Sequence, residues 1–226
     1  MANTLAAAWL IARKDLAIEF RTRTAFLSAV VFALLGLVIF YFAWDPTAVT
    51  TGDLAPGVLW VIFTFSGLLG LHRSFGVEMA DHAIDGVLAS PVGREAIFLG
   101  KAIANLIFVI AVQLIAIPAL VIFYNLPLGT VAGPLLVIAL LAAIGLAAIG
   151  TLFSAMAVNT RLAELLLPML ALPFFVPIVI GAAQATAKLM SGRPVIEVTA
   201  WVKLLVAFDM VFIAACTVAY PFTVED

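Results

Sequence analysis

Long uncharged runs separated by short polar breaks dominate this chain, and roughly 20 predominantly apolar residues suffice for one helix to cross a bilayer. The breaks define six such runs. The first, Ala25 to Trp44, is uncharged and ends at Asp45-Pro46; the second, Gly57 to Leu71, is short for a full crossing, so its helix is expected to begin earlier or to continue past His72. The third, Ile97 to Tyr124, has a kink expected at Pro118. The fourth, Val131 to Val158, carries Gly145 and Gly150, which permit close helix contact. The fifth, Leu162 to about Ala185, contains Pro168, Pro173 and Pro177, which are expected to bend or break it, and the sixth runs from Trp201 to about Tyr220. Ahead of them, residues 5–20 place Leu5, Ala8, Trp9, Ala12, Leu16 and Phe20 on one helical face and Arg13, Lys14, Asp15 and Glu19 on another. That pattern predicts a helix lying in the membrane interface.

One interval departs from this pattern. From Leu71 to Lys101 the chain carries Arg73, Glu78, Asp81, Asp85, Arg94, Glu95 and Lys101 and both histidines, His72 and His82. Within it Val77, Ala80, Ile84, Val87 and Leu88 recur at helical spacing while Glu78, Asp81, His82 and Asp85 take the other face, and Gly86 and Ser90-Pro91-Val92-Gly93 supply a helix end and a turn. The reading is a short amphipathic helix across the mouth of a membrane domain, offered to something outside the lipid.

Composition fits the same picture, since 65% of the 226 residues are hydrophobic and 11% are charged. The expected fold is an all-α integral membrane protein of six transmembrane helices, one domain over residues 1–226, with an interfacial helix in 1–24 and an exposed coupling region in 74–95. A net charge of −2 gives no sign of nucleic acid as a partner. The single cysteine, Cys216, lies in the last apolar run, which excludes a disulfide framework and paired-cysteine redox or haem-attachment motifs. Asp15 and Glu19 among the early basic residues, with no small-residue cleavage site, argue against a removable signal peptide. Arg13, Lys14, Arg21, Arg23, Arg73, Arg94, Lys101 and Arg161 fall on one side of the six-span topology, against Lys188, Arg193 and Lys203 on the other. Basic residues concentrate in the cytoplasm, so both termini and the amphipathic interval are expected there.

Several residues invite a chemical reading. Glu78, Asp81, His82 and Asp85 stack at i, i+3, i+4 and i+7, as a divalent-metal site on a helix would, and membrane phospho-alcohol transferases use such an Asp-rich helix. Those enzymes also need a preceding Asp-Gly pair with a downstream Ala-Arg, which no segment before Asp81 supplies, so a partner-facing surface is the reading taken. Gly93 to Lys101 fails as a phosphate-binding loop: six residues separate Gly93 from Gly100, and Ala102 follows the lysine. Asp209 sits midway along the sixth run, where insertion scales put its cost at roughly 2.5 to 3.5 kcal/mol, and reads equally as part of a translocation path or proton relay and as a hydrogen-bonded structural acid. Lys203, six positions away, is on another face. Glu164 is expected at the interface, Asn105, Gln113 and Gln184 as interhelical hydrogen-bonders, and Trp44, Trp60 and Trp201 as an aromatic belt at the less basic side.

The order of interfacial helix with Lys14-Asp15-Leu16, six spans and an amphipathic segment between spans two and three resembles the ABC-2 type exporter permeases. Arg73-Ser74-Phe75, Glu78, Asp85-Gly86-Val87-Leu88-Ala89-Ser90-Pro91-Val92, Arg94 and Ala96-Ile97-Phe98-Leu99-Gly100-Lys101 are similar, more narrowly, to the CcmB family of cytochrome c maturation haem exporter permeases. Ala80 and His82 depart from the more acidic run expected there. The resemblance implies a non-catalytic subunit of a complex containing two permease copies, two copies of a cytosolic CcmA-like ATPase, a CcmC-like haem-handling protein and a small CcmD-like subunit. That complex would drive haem delivery to the periplasmic chaperone CcmE. ATP would act through the partner subunit, haem would be cargo, and Glu78, Asp81, Ile84, Asp85, Gly86, Leu88, Pro91 and Arg94 would couple to the ATPase. Since the less basic side carries no histidine or cysteine, the chain is expected to transmit motion without ligating haem iron. Export of a drug, lipid or glycan by another ABC-2 permease, or phospho-alcohol transfer, are the alternative functions.

Overall fold

The computed structural model of the chain describes residues 4–80, 92–126, 129, 131–158 and 163–223. Among the described residues there are seven helices and no strand: α1 Thr4–Thr22, α2 Thr24–Ala43, α3 Thr51–Ala80, α4 Arg94–Tyr124, α5 Ala132–Val158, α6 Ala163–Met190 and α7 Val195–Thr223. The helices α2 to α7 are long and apolar enough to cross a membrane, the number read from the sequence. Helix is the form the solvent dictates, because lipid offers no partner to a backbone N–H or C=O and each span must satisfy its own.

Local chemistry sets the ends of α3. The Thr50 hydroxyl accepts the Asp53 N–H at 3.3 Å and donates to Asp53 Oδ2 at 2.7 Å, which caps the helix start. Just before it, Trp44 Nε1 donates to the Val49 carbonyl at 2.9 Å and closes the loop from α2. In that loop the Thr47 hydroxyl and N–H, with the Ala48 N–H, hold the exposed Asp45 carboxyl below its usual range. As expected from the shortness of the Gly57–Leu71 run, the helix both begins earlier, at Thr51, and continues past His72 to Ala80. Val77 and Ala80, assigned above to a separate amphipathic helix, therefore belong to the same helix as the second span, beyond its apolar part. Nothing between Leu71 and Ala80 breaks a helix except the tolerated Gly76, and losing hydrophobicity does not by itself unwind one.

None of the prolines within α4 and α6 interrupts its helix. The helix α6 passes through Pro168, Pro173 and Pro177 as one element from Ala163 to Met190, and α4 continues past Pro118 to Tyr124. With no water to take up the freed carbonyls, the helical path remains the cheapest one for the neighbouring backbone. The α4 end is closed by Asn125 at φ 47°, whose N–H donates to the Val121 carbonyl.

Packing is layered. The span windows of α3 and α5 are 72% and 67% buried, against 22% and 17% for α2 and α7, so α3 and α5 form the interior and α2 and α7 the flanks. The core includes Leu37, Trp60, Phe63, Leu71 and Phe175. Trp60 thus departs from the interfacial-belt expectation: it is wholly buried, with Nε1 donating to Thr186 Oγ1 at 3.0 Å. An indole buried between helices needs such a partner for its N–H. Trp44 and Trp201 stay half-buried, Trp44 lying 5.9 Å from the Tyr124 ring. Asn105 and Gln113 bond across helices as expected, to Thr151 Oγ1 at 2.8 Å and the Ala139 carbonyl at 3.3 Å, whereas Gln184 is exposed.

Candidate functional site

The interval singled out in the sequence is flanked by the ends of α3 and α4, and each flank is pinned to the body of the protein. On the α3 side the pin is Leu71, 1% exposed, whose carbonyl accepts the Ser154 hydroxyl of α5 at 3.0 Å. Gly150, one turn earlier on α5, is tight against the same leucine: a Cβ there would lie 2.3 Å from Leu71 Cδ1. Beyond Leu71 the helix runs on to Ala80.

Three elements grip the α4 side. Arg94 Nη1 donates to the Pro221 carbonyl of α7 at 3.3 Å, and the Phe98 and Tyr220 rings lie 5.4 Å apart. Ile97, Phe98, Ala155, Cys216 and Tyr220 form a second buried cluster here, separate from the main core. The helix α1 also docks on α4, with Ile11 packed against the same cluster. Gly100 lets it approach so closely that a Cβ would meet the Ala8 carbonyl oxygen at 2.6 Å and Ile11 Cβ at 2.8 Å. One residue on, Lys101 is 1% exposed and its Nζ lies 3.3 Å from Asp15 Oδ2, while Lys14 Nζ lies 3.1 Å from Asp15 Oδ1. A buried ammonium tolerates that position only with a carboxylate beside it. Farther along α1, Glu19 Oε1 accepts the Phe26 N–H at 2.8 Å and caps α2 across the turn at Arg23.

This arrangement corrects the reading of α1. Leu5, Trp9 and Phe20 are exposed, at 77%, 55% and 72%, as an interfacial helix requires, but Ala8 and Ala12 of the same predicted face are buried. Asp15 and Glu19, placed on the outward polar face, are turned to the protein. The small residues and the carboxylates make the docking surface, and the large apolar side chains are left for lipid.

Asp209 occupies a different setting. It is 4% exposed within α7, and neither carboxylate oxygen has a hydrogen-bond partner among the described residues. Oδ1 lies against α5, where a Cβ at Gly145 would approach it to 2.7 Å and meet Ile178 Cδ1 of α6 at 2.6 Å. Lys203 is exposed on another face.

Of the proposed coupling residues, Arg94 sits at the α4 start against α7 and Glu78 in the last turn of α3. Asp81, Ile84, Asp85, Gly86, Leu88 and Pro91 lie outside the described residues. So does most of the acidic face weighed as a metal site, with Asp81, His82 and Asp85. Asp15, Gly100 and Lys101 form the lock that sequence reasoning passed over. Its signal was available, because Lys101 stands four residues inside the third apolar run, where a lone cation calls for a partner.

The family model described as CcmB protein matches residues 6–226. The chain is 30% identical over 206 residues to the Heme exporter protein B of Paracoccus denitrificans, covering 91% of this chain and 89% of that one. It is 29% identical over 179 residues to the Heme exporter protein B of Rhodobacter capsulatus, covering 79% and 82%, and 25% identical over 202 residues to that of Pseudomonas aeruginosa, covering 89% and 90%.

Proposed function

The chain belongs to the CcmB family, and from that premise we propose that it is the membrane permease subunit of a haem exporter serving cytochrome c maturation, a single membrane domain that converts ATP-driven motion of a separate subunit into rearrangement of its helices. In this reading it is non-catalytic. It lies in the bacterial cytoplasmic membrane with both termini in the cytosol, the orientation its basic residues favour. The complex contains a second copy of the chain, the CcmA-like ATPase, a CcmC-like haem-handling protein and a small CcmD-like subunit, and delivers haem to the periplasmic chaperone CcmE.

The observation that supports transmission is mechanical. The segment that would meet the ATPase hangs between α3 and α4, two uninterrupted helices that reach from it through the membrane to the far side. Glu78, Asp81, Ile84, Asp85, Gly86, Leu88, Pro91 and Arg94 form its contact surface, seated in a groove of the ATPase as an amphipathic helix seats in a partner. Displacing the segment pushes on α3 at the Leu71–Ser154 pin and on α4 at the Gly100–Lys101 lock. Because α1 is docked on α4 at that level, these two helices move together, and the cluster of Phe98, Ala155 and Tyr220 passes the displacement of α4 on to α5 and α7.

Haem iron is not ligated by this chain. The loops opposite the basic end contain no histidine or cysteine, and Cys216 is 3% exposed within α7. Cargo is gripped by the partner subunits while this one supplies the stroke. Replacing Ile84→Asp or Asp85→Arg in the assembled complex tests the coupling: ATP hydrolysis is expected to continue while cytochrome c maturation stops, with the membrane subunits still co-purifying. Variants that assemble and mature cytochrome c at the full rate would remove this segment from the mechanism. Stoichiometric six-coordinate haem on the isolated chain would reject the division of labour.

A further inference from the structure

Where α1 turns into α2, the chain leaves a crevice of about 340 Å³ between α1, α2 and α4. Its walls are Leu16 and Phe20 from α1, Leu27 from α2, and Ile107 and Phe108 from α4, and its accessible surface is almost wholly apolar. Its level along the membrane normal follows from its neighbours. Phe26 in the first turn of α2 meets Phe108 edge to face, with ring centroids 6.2 Å apart, and the uncharged run of α2 extends from there toward the far side. The mouth is therefore at the headgroup level of the basic leaflet, and the floor is in the acyl region.

Arg23 stands at that mouth. It is the residue between the two helices, held at φ 56°, and its Nε donates back to the Phe20 carbonyl at 3.2 Å. That bond leaves the two terminal nitrogens without a protein partner among the described residues. Arg21, two residues earlier, is also exposed. The acid at the same mouth, Glu19, is engaged by the Phe26 N–H at the start of α2, so its charge faces the helix terminus. An apolar slot with an unoccupied guanidinium at its lip is complementary to one amphiphile of the surrounding leaflet.

We propose that this crevice is a binding site for an anionic phospholipid, with one acyl chain between Phe20, Leu27, Ile107 and Phe108 and the phosphate on Arg23. The bound lipid completes the packing of α1 against α4 beyond the Asp15–Lys101 lock, toward α2. It does so without any contribution from the ATPase or the cargo, so it stands or falls apart from the transport reading.

The test uses the full chain in vesicles of phosphatidylcholine containing trace phosphatidylglycerol or trace phosphatidylcholine, each with a photoactivatable acyl chain, and maps the adducts by peptide mass spectrometry. Phosphatidylglycerol adducts are expected to concentrate on the Phe20–Leu27 and Ile107–Phe108 peptides, about fivefold over phosphatidylcholine, the ratio that ~1 kcal/mol for one basic residue near an anionic lipid gives. Arg23→Gln should abolish that preference and Arg23→Lys retain it, while Ile107→Trp, which narrows the slot, should reduce adducts of both lipids on these peptides. Elution volume and thermal unfolding of each variant exclude misfolding as the cause. Adducts spread evenly over the lipid-facing sides of α2, α4 and α7, or a preference unchanged in Arg23→Gln with Ile107→Trp labelled as before, would overturn the proposal. Labelling of the crevice by both lipids equally would leave a groove for chains but remove Arg23 as a phosphate ligand, which is also a refutation.

Discussion

Among the described residues two aspartates are withdrawn from solvent, and their surroundings are opposite. Asp15 on α1 faces Lys101 and Lys14, so its charge is answered at 3.3 and 3.1 Å. Asp209 on α7, 4% exposed, has two oxygens with no partner among the described residues and a glycine of α5 pressed close to one of them. A paired charge at a helix contact is accounted for by the contact: it locates α1 on α4, and its loss is a loss of structure. An unanswered carboxyl in mid-membrane fills space between helices but forms no polar contact among the described residues, so its charge is not expected to add to the stability of the isolated chain. The contrast separates residues whose variants fail by unfolding from residues whose variants, if they fail, fail in work.

Removing Asp15 should have the largest effect on stability. Asp15→Ala takes a carboxylate from the buried Lys101 ammonium and should lower unfolding stability in detergent by about 2 kcal/mol, below the ~3–5 kcal/mol of a fully buried pair because Asp15 keeps some exposure. Adding Lys101→Met should return part of that loss, and the double-mutant cycle measures how much belongs to the pair. Gly100→Ala comes next, at about 1–2 kcal/mol, because the added methyl meets the Ala8 backbone carbonyl, which α1 can relieve only by lifting off. Gly145→Ala should cost less, under about 1 kcal/mol, since the obstructing atoms are the ends of the Ile178 and Asp209 side chains, which can turn aside. Asp209→Leu closes the series: thermal unfolding at or slightly above that of the parent is expected, as an unpartnered acid gives way to an apolar group. A marked loss of stability there would show that Asp209 has a structural partner and would erase the contrast.

The degree to which this architecture could be read in advance follows the same physics. The number of spans and their approximate limits came from hydropathy, because lipid excludes charge whatever the tertiary contacts are. Which face of each span looks inward did not, since lipid tails are as apolar as leucine and a hydrophobic pattern cannot tell core from exterior. Trp60 was therefore placed at an interface although it is buried on Thr186, and Leu5, Trp9 and Phe20 were grouped with Ala8 although they point away from it. Small and polar residues are the legible marks of inward faces in such a protein: Gly145, Gly150, Asn105 and Gln113 were assigned to helix contacts from sequence and are found there. Gly100 and Lys101 carry the same mark and were passed over. The extension of α3 beyond its apolar run was legible too, because Gly57–Leu71 is too short to cross a bilayer alone.

The central claim is that the segment between α3 and α4 is seized by a cytosolic ATPase and that α3 and α4 carry its motion inward. The most direct test is a crosslink from Asp85→Cys, introduced with Cys216→Ala so that it is the sole thiol, in cells carrying the whole complex. A thiol-specific crosslinker should join it to the ATPase subunit in a yield that changes on ATP binding, and a membrane-impermeant thiol reagent added outside intact cells should leave it unmodified. Efficient labelling from outside, or no crosslink to any nucleotide-binding subunit in a complex that still matures cytochrome c, would contradict it.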